Sequence, residues 1–423
     1  MLSRTALALT LLVGAAPATA PDGGTAPGAL DPRLVDRARS ILQRAPLIDT
    51  HNDLPFALLE QTGGDLTKVD LGKRQTELPA DIPRLREGRV GAQYWSIFVE
   101  SDTRLTRTAL HDALRVFDVA LRTIESRPEL ELARSADDIV RITRAGRIAS
   151  LLGVEGGQMI ESSPGVLRIL HRLGARYLTL THWGNVEFAD AATDTPVHDG
   201  LTKHGELLVQ ELNRLGMFVD IAHVSPDVMR DVLRVTKAPV ISSHADAYAL
   251  VPHPRNIPDD VLRLVARNGG VVHVSFIREF AVPSAEYLAQ RKEARRAIRQ
   301  RVATDEEAEA QILAWDKANP QPGGSVANVA DDIDHIRAVA GVDHVGIGGD
   351  FYDDGTTTMV EGLQDVTRYP FLFAELLRRG WSEADLLKLA GQNHLRTMRE
   401  MERVAAQLQK STAPLTTEGP RNP

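Results

Sequence analysis

Residues 46–53 read Pro46-Leu47-Ile48-Asp49-Thr50-His51-Asn52-Asp53, a short apolar run that ends in His-x-Asp. Side chains two apart on a β-strand point the same way, so His51 and Asp53 share a face at the strand's end. An imidazole nitrogen and a carboxylate oxygen on one face suit Zn²⁺ and similar divalent ions. Alone, such a pair is more often a turn-initiating Asp beside a satisfied His. Its meaning therefore depends on how the other strands end.

Apolar, β-rich runs at 46–52, 90–98, 147–154, 176–181, 217–222, 238–243, 270–276 and 344–349 predict eight strands. Helical patterns fall between most of them, at 107–126, 164–173, 202–215, 226–236, 258–268 and 328–340, with more at 366–379 and 382–403. Ser163-Pro164, Ser225-Pro226 and Ile257-Pro258 read as helix starts, because Pro fits the first turn. This alternation predicts an α/β fold, a closed parallel (β/α)8 TIM-like barrel. A doubly wound open sheet is the competitor that periodicity alone does not exclude.

In such a barrel chemistry sits at the C-terminal ends of the strands. Those ends carry His51 and Asp53, then Glu155, His182, His223, His244 and Asp350, on six of the eight strands. One catalytic zinc needs three protein ligands and a water, so the surplus points to two ions. A carboxylate such as Glu155 can bridge them. Its setting, Gly153-Val154-Glu155-Gly156-Gly157, leaves room for close backbone approach.

The remaining composition narrows the classes. A chain of 423 residues, 43% hydrophobic and 25% charged, is ordinary for a soluble globular protein. A net charge of −8 gives no reason to expect nucleic acid. Arg4, the apolar run Ala6–Val13 and Ala18-Thr19-Ala20 read as a signal peptide over 1–20, which predicts a periplasmic or secreted protein without a membrane anchor. Residues 21–31 read as a disordered lead-in, 32–405 as a single catalytic domain and 406–423 as a flexible tail. Residues 284–318 form a charge-rich helical insertion between the seventh and eighth strands: a solvated face, a lid or a dimer contact. His273 reads as a core residue. Asp246 and Tyr248 read as ligand-orienting or turn residues. Gly346-x-Gly348-Gly349 is no dinucleotide loop, since Asp350, Asp353 and Asp354 follow it and repel phosphate. Neither Gly-x-Ser-x-Gly nor His-Glu-x-x-His occurs.

Together the stretches Ile48-Asp-Thr-His51-Asn-Asp53, Asp81-Ile-Pro-Arg-Leu-Arg-Glu-Gly88, Gly91-Ala-Gln-Tyr-Trp-Ser96, Gly153-Val-Glu155-Gly156, Tyr177-Leu-Thr-Leu-Thr-His182, Asp220-Ile-Ala-His223-Val-Ser225, Ser242-Ser-His244, Pro254-Arg255-Asn256 and Gly346-Ile-Gly-Gly-Asp350-Phe351 resemble the membrane (renal) dipeptidases, zinc metallopeptidases with a (β/α)8 barrel. The resemblance runs in order through residues 45–400. It implies two zinc ions, His51 and Asp53 on one, His223 and His244 on the other, and Glu155 between them. It implies Asp350 as general acid/base, His182 as the residue that binds substrate at its oxyanion, and Arg255 as the one that holds the substrate's free carboxylate. The substrate implied is a dipeptide, and a homodimer is a family-based expectation. The alternative is a related binuclear amidohydrolase acting on non-peptide amides, lactams or esters, which has no need of Arg255. Some positions depart from the family pattern: Ile277 stands where an aromatic hydroxyl is usual, Tyr352-Asp353-Asp354 lengthens a turn, and His394 occupies a usually apolar place. The cysteines of mammalian members are absent, which fits a bacterial exported form.

Overall fold

The computed structural model describes residues 30–420 apart from 303, 320 and 322. The expected signal segment and most of the lead-in lie outside the described residues. The described residues form nine strands: β1 (Leu47–Asn52), β2 (Val90–Phe98), β3 (Leu130–Leu132), β4 (Ile148–Glu155), β5 (Ala175–Thr179), β6 (Phe218–Asp220), β7 (Ile241–Ser242), β8 (Val271–Val274) and β9 (Val345–Ile347). All pair in parallel in the order β2-β1-β9-β8-β7-β6-β5-β4, and β2 pairs β4 over seven residues to close the ring. The eight barrel strands are the eight expected ones. β3 is additional. It borders Ile148–Ser150 of β4, below the point where β5 takes over the same edge, and is too short to show a periodicity.

The seam that makes the sheet a barrel joins the first and last strands. Asp49 pairs with Ile347, and Asn52 bridges to Phe351. Asp49 is fully buried and clasps this seam: its carboxylate accepts the Gly349 N–H at 2.9 Å, the His51 N–H at 3.1 Å and the Tyr369 hydroxyl. Strands covered on both faces read as near-continuous apolar runs, which is why β4 is buried at every position.

The barrel floor is aromatic and polar at once. Tyr94 stacks on Tyr177 with ring centroids 5.5 Å apart. Its hydroxyl meets His394 Nε2 at 2.9 Å, His394 Nδ1 meets His273 Nε2 at 3.2 Å, and His273 Nδ1 meets the Ser242 carbonyl at 2.8 Å. His273 is thus a core residue, and His394 is the polar partner that the floor requires. The helix expected over 382–403 is interrupted at Lys388–Gln392 and resumes as Asn393–Ser411. The break falls at Gly391, which leaves the helical conformation and passes so close to the entry of β1 that a Cβ would lie 2.5 Å from the Pro46 carbonyl.

Helices Pro164–Leu173, Lys203–Leu215, Pro226–Val235 and Asp259–Asn268 form as the pattern predicts, with Ser163, Thr202 and Ser225 capping the first three. Helices Pro32–Leu42, Leu54–Thr62, Ile82–Glu87 and Ala136–Arg144 were not anticipated. The insertion is a hairpin of two helices, Ala285–Arg299 and Asp305–Ala318, with its own small cluster of Ile298, Ala308 and Ile312. The chain end differs from a free tail beginning at 406. The helix continues to Ser411, Leu415 N–H donates to Glu211 at 3.1 Å, and Gly419 N–H donates to the Ser162 carbonyl at 3.0 Å. No described helix is long and apolar enough to cross a membrane.

Candidate metal centre

Seven of the eight predicted site residues meet at the C-terminal mouth of the barrel. His51 ends β1, and Asp53 opens the helix Leu54–Thr62 directly after it. Glu155 is the last residue of β4, while His182, His223, His244 and Asp350 lie two or three residues beyond β5, β6, β7 and β9. His223 and Asp350 both have φ of 63°, a left-handed backbone that costs a side-chain-bearing residue about 1 kcal/mol. The strands cannot simply run on: each bends sharply to carry its ligand-type side chain.

Glu155 is the hub. Its Oε1 lies 3.0 Å from His223 Nε2 and 3.3 Å from His244 Nε2, and its Oε2 lies 3.3 Å from His51 Nε2. Ser96 donates to Oε2 at 3.1 Å. His51 Nε2 is 3.4 Å from Asp53 Oδ2 and 3.8 Å from Asp350 Oδ1, and His182 Nε2 is 3.8 Å from Glu155 Oε1. Three overlapping sets of donor atoms result, each within 4.8 Å: His51, Glu155 and His244; Glu155, His182 and His223; His51, Asp53 and Asp350. All seven side chains are buried.

Counting protons shows what this cluster accepts. Tyr177 has one hydroxyl hydrogen, placed to donate to the Thr50 carbonyl at 3.3 Å, so its 3.0 Å contact with His51 Nδ1 is donated by the imidazole. Ser243 likewise gives its hydrogen to Asp220 at 2.6 Å, so His244 Nδ1 donates to Ser243 at 2.9 Å. His244 then presents a bare Nε2 to the centre. Burial alone would lower His51, but the neighbouring Tyr177, Glu155 and Asp53 hold it well above the usual histidine range, so its Nε2 hydrogen has to leave before a cation binds there. His223 Nε2 and His244 Nε2 stand 2.9 Å apart, too close for two N–H groups to face each other. Among the described residues, His51 Nε2 and Asp53 Oδ1 are buried with no hydrogen-bond partner. Converging lone pairs of this kind, in a donor set of imidazoles and carboxylates, fit divalent cations.

The other groups of the cluster are shifted in both directions. Burial, helped by nearby positive groups, holds His223 and His244 well below the usual histidine range, so both are neutral near pH 7. Burial would raise Glu155, but the charge of His51 and the contacts from His223 and His244 hold it well below the carboxylate range. Asp350 goes the other way. Burial, reinforced by the Asp53 and Glu155 carboxylates, pushes it up to about 7.

His182 is built oppositely to the other imidazoles. Burial lowers it to about 4. Its Nδ1 lies 3.0 Å from Ser101 Oγ, which already accepts the Trp183 N–H at 3.2 Å. In the tautomer in which the Ser101 hydroxyl donates to Nδ1, the ring presents Nε2–H to the centre. Arg255, the eighth predicted residue, lies beside the ligands in the loop after β7 and is 1% exposed. Its Nη2 is 3.5 Å from the His244 carbonyl, its guanidinium sits 5.3 Å from the Phe280 ring, and its Nε and Nη1 have no hydrogen-bond partner among the described residues. Asp246 braces Ser275, at 2.7 Å, and not a ligand histidine. Sequence reasoning assigned no role to Tyr177, Ser243, Asp220 or Ser101. The one available signal was a glycine: a Cβ at Gly153 would lie 1.9 Å from the Tyr177 ring, marking where that ring crosses β4.

Comparison with known proteins identifies the family. The family model for membrane dipeptidases, peptidase family M19, matches residues 35–412. Dipeptidase 3 of Mus musculus is 38% identical over 379 residues, covering 88% of this chain and 68% of that protein. The same fold is found in the probable dipeptidase PvdM of Pseudomonas aeruginosa, with a TM-score of 0.78, 24% identity, and coverage of 89% of this chain and 100% of that one. It is also found in a metallopeptidase from Rhodobacter sphaeroides, solved with a phosphinate mimic of the dipeptide L-Ala-D-Ala, with a TM-score of 0.67, 23% identity, and coverage of 84% and 99%. The chain therefore belongs to peptidase family M19, the membrane dipeptidases, and is a hydrolase of the metallodipeptidase type.

Proposed function

We propose that this protein hydrolyses the peptide bond of dipeptides at a centre of two zinc ions, with His51 and Asp53 on one ion, His223 and His244 on the other, and Glu155 bridging. The observation that carries the substrate assignment is Arg255, a buried guanidinium with two unpartnered nitrogens next to the cluster. A buried charge of that kind calls for an anion, and a planar fork matches a carboxylate bidentately. Fixed beside the cluster, it selects substrates whose free carboxylate lies just past the scissile bond.

Bound zinc ions supply Lewis acidity to the scissile carbonyl and bring a water's pKa down towards about 7. The chain's own groups do the rest. Asp350, whose Oδ1 lies 3.8 Å from His51 Nε2, is the carboxylate that takes a proton from the attacking water and passes it to the leaving amine. His182, neutral and presenting Nε2–H, donates to the oxygen that becomes negative as the carbonyl carbon turns tetrahedral. Trp183 packs edge-on against His182 and His223 and walls the mouth on that side. With residues 1–20 read as an export signal, the reaction takes place outside the cytoplasm.

Arg255→Met keeps the buried volume and removes the charge. We expect kcat/KM for a dipeptide with a free C-terminus to fall by about a hundredfold or more, with its C-terminal amide unaffected. Equal losses on both substrates would show that Arg255 is not the carboxylate anchor.

A further inference from the structure

The insertion is joined to the loop that carries Arg255. Arg291, in the first hairpin helix, makes a bidentate pair with Asp316 of the second, at 2.8 and 2.7 Å. Its remaining Nη1 reaches out of the hairpin to Glu279 Oε2, on the short turn after β8. The other oxygen of Glu279 faces His253 Nε2 at 3.6 Å. His253 closes the path, because its Nδ1 accepts the backbone N–H of Arg255 at 3.2 Å. The members are well shielded, with side-chain exposures of 16% for Arg291, 26% for Glu279 and 14% for His253.

Two further contacts fix the geometry at the far end. The Phe280 ring, next to Glu279, lies under both the His253 ring, at 4.9 Å, and the Arg255 guanidinium. Asn256 Nδ2 donates to the Phe280 carbonyl at 2.9 Å. Pro252 and Pro254 flank His253 and limit the backbone on both sides. A shift of Glu279 is therefore transmitted to the Arg255 fork with little slack.

We propose that the hairpin 285–318 sets the position of the carboxylate-binding Arg255 through the bridge Arg291–Glu279–His253, making these three positioning residues for the C-terminal end of the substrate. The proposal rests on the reading of Arg255 given above. A carboxylate is held bidentately only when both N–H groups point correctly, so small displacements cost binding first. His182 and Asp350, the groups proposed to act on the scissile bond, belong to the loops after β5 and β9 and not to the loop of Arg255.

The test uses the full-length, zinc-loaded protein and measures kcat and KM for a dipeptide and its C-terminal amide. Arg291→Ala is expected to raise KM for the free dipeptide about tenfold, with kcat within about twofold and the amide unchanged. Arg291→Lys, which keeps a single contact to Glu279, should recover part of the loss. Arg296→Ala, at an exposed pair with Glu293 on the same helix, should change nothing. Equal effects of Arg291→Ala on both substrates, or a loss confined to kcat, would overturn the proposal. If Arg291→Ala does not fold, the isosteric Glu279→Gln decides by the same criteria. Arg255→Met separates the two levels. If it fails to discriminate the substrates, the carboxylate reading falls; if it discriminates and Arg291→Ala does not, only the hairpin's role falls.

Discussion

At the scale of single residues, the centre is defined by where protons are not. His51 and His244 each surrender the Nδ1 hydrogen to a hydroxyl oxygen whose own hydrogen is committed elsewhere, to Thr50 and Asp220 respectively. Tyr177→Phe tests this bookkeeping. The ring keeps its packing over Gly153, but His51 Nδ1–H loses its acceptor and is free to change tautomer. Zinc affinity, followed by competition with a chromophoric chelator, should fall about 10- to 100-fold, as is usual when a ligand histidine loses its orienting partner. Unchanged affinity would mean that backbone packing alone holds the ring. Glu155→Gln removes the shared charge, and bound zinc per chain should drop along with turnover. Full zinc content with near-wild-type turnover would dismiss the bridge. The candidate ligands were legible in the sequence because each ends an apolar run. Their hydroxyl partners were not, because Tyr177 touches His51 across the barrel, 126 positions away.

Elements show the same division between local and distant causes. Helices with a capping Ser or Thr, or a Pro at the start, declare themselves, as Pro164–Leu173 and Pro226–Val235 do. The helix Leu54–Thr62 hides behind Asp53, which begins it without a capping hydrogen bond because its carboxylate faces His51 in the candidate metal centre. The insertion read correctly as charged and helical, yet its charges are not all solvated, and the anchoring of Glu279 makes a prediction about pH. Burial alone would raise Glu279, but contact with His253 and the charge of Arg291 outweigh it and lower the carboxyl from its ordinary 4.5 to about 2. A depressed carboxyl stabilises the fold above its unfolded value and loses that contribution as pH falls, here between about 4.5 and 2. The whole difference is on the order of 3 kcal/mol. Wild-type protein should therefore lose denaturant stability more steeply than Glu279→Gln across that interval, and the two curves should run parallel above pH 5. Parallel curves throughout would show that Glu279 is not paired in solution.

For the whole molecule, the open question in the sequence was whether eight parallel strands close. Closure depends on β1 meeting β9, a contact between segments some 300 positions apart, and periodicity within a strand carries no information about it. The scatter of metal-ligand types over six strand ends was the better guide, because only a ring brings them to one point. That ring has an energetic consequence. The donors come from β1, β4 and the loops after β6 and β7, so bound ions tie together strands from both halves of the barrel. Without cations, the Asp53, Glu155 and Asp350 carboxylates face one another in a buried space, and burial together with their mutual repulsion raises Asp53 and Asp350. An ion that binds only the folded chain stabilises it by RT ln(1 + [L]/Kd), about 4 kcal/mol at a thousandfold excess over Kd. Removing metal with a chelator should therefore lower Tm by on the order of 5–10 °C. Because the ligands span the ring, the calorimetric transition should move as one peak, and zinc should restore it. Glu155→Gln, lacking the shared ligand, should show a much smaller shift on chelation. A new low-temperature transition beside an unmoved main peak would instead mean that the ions stabilise only the mouth loops, and that the barrel stands without them.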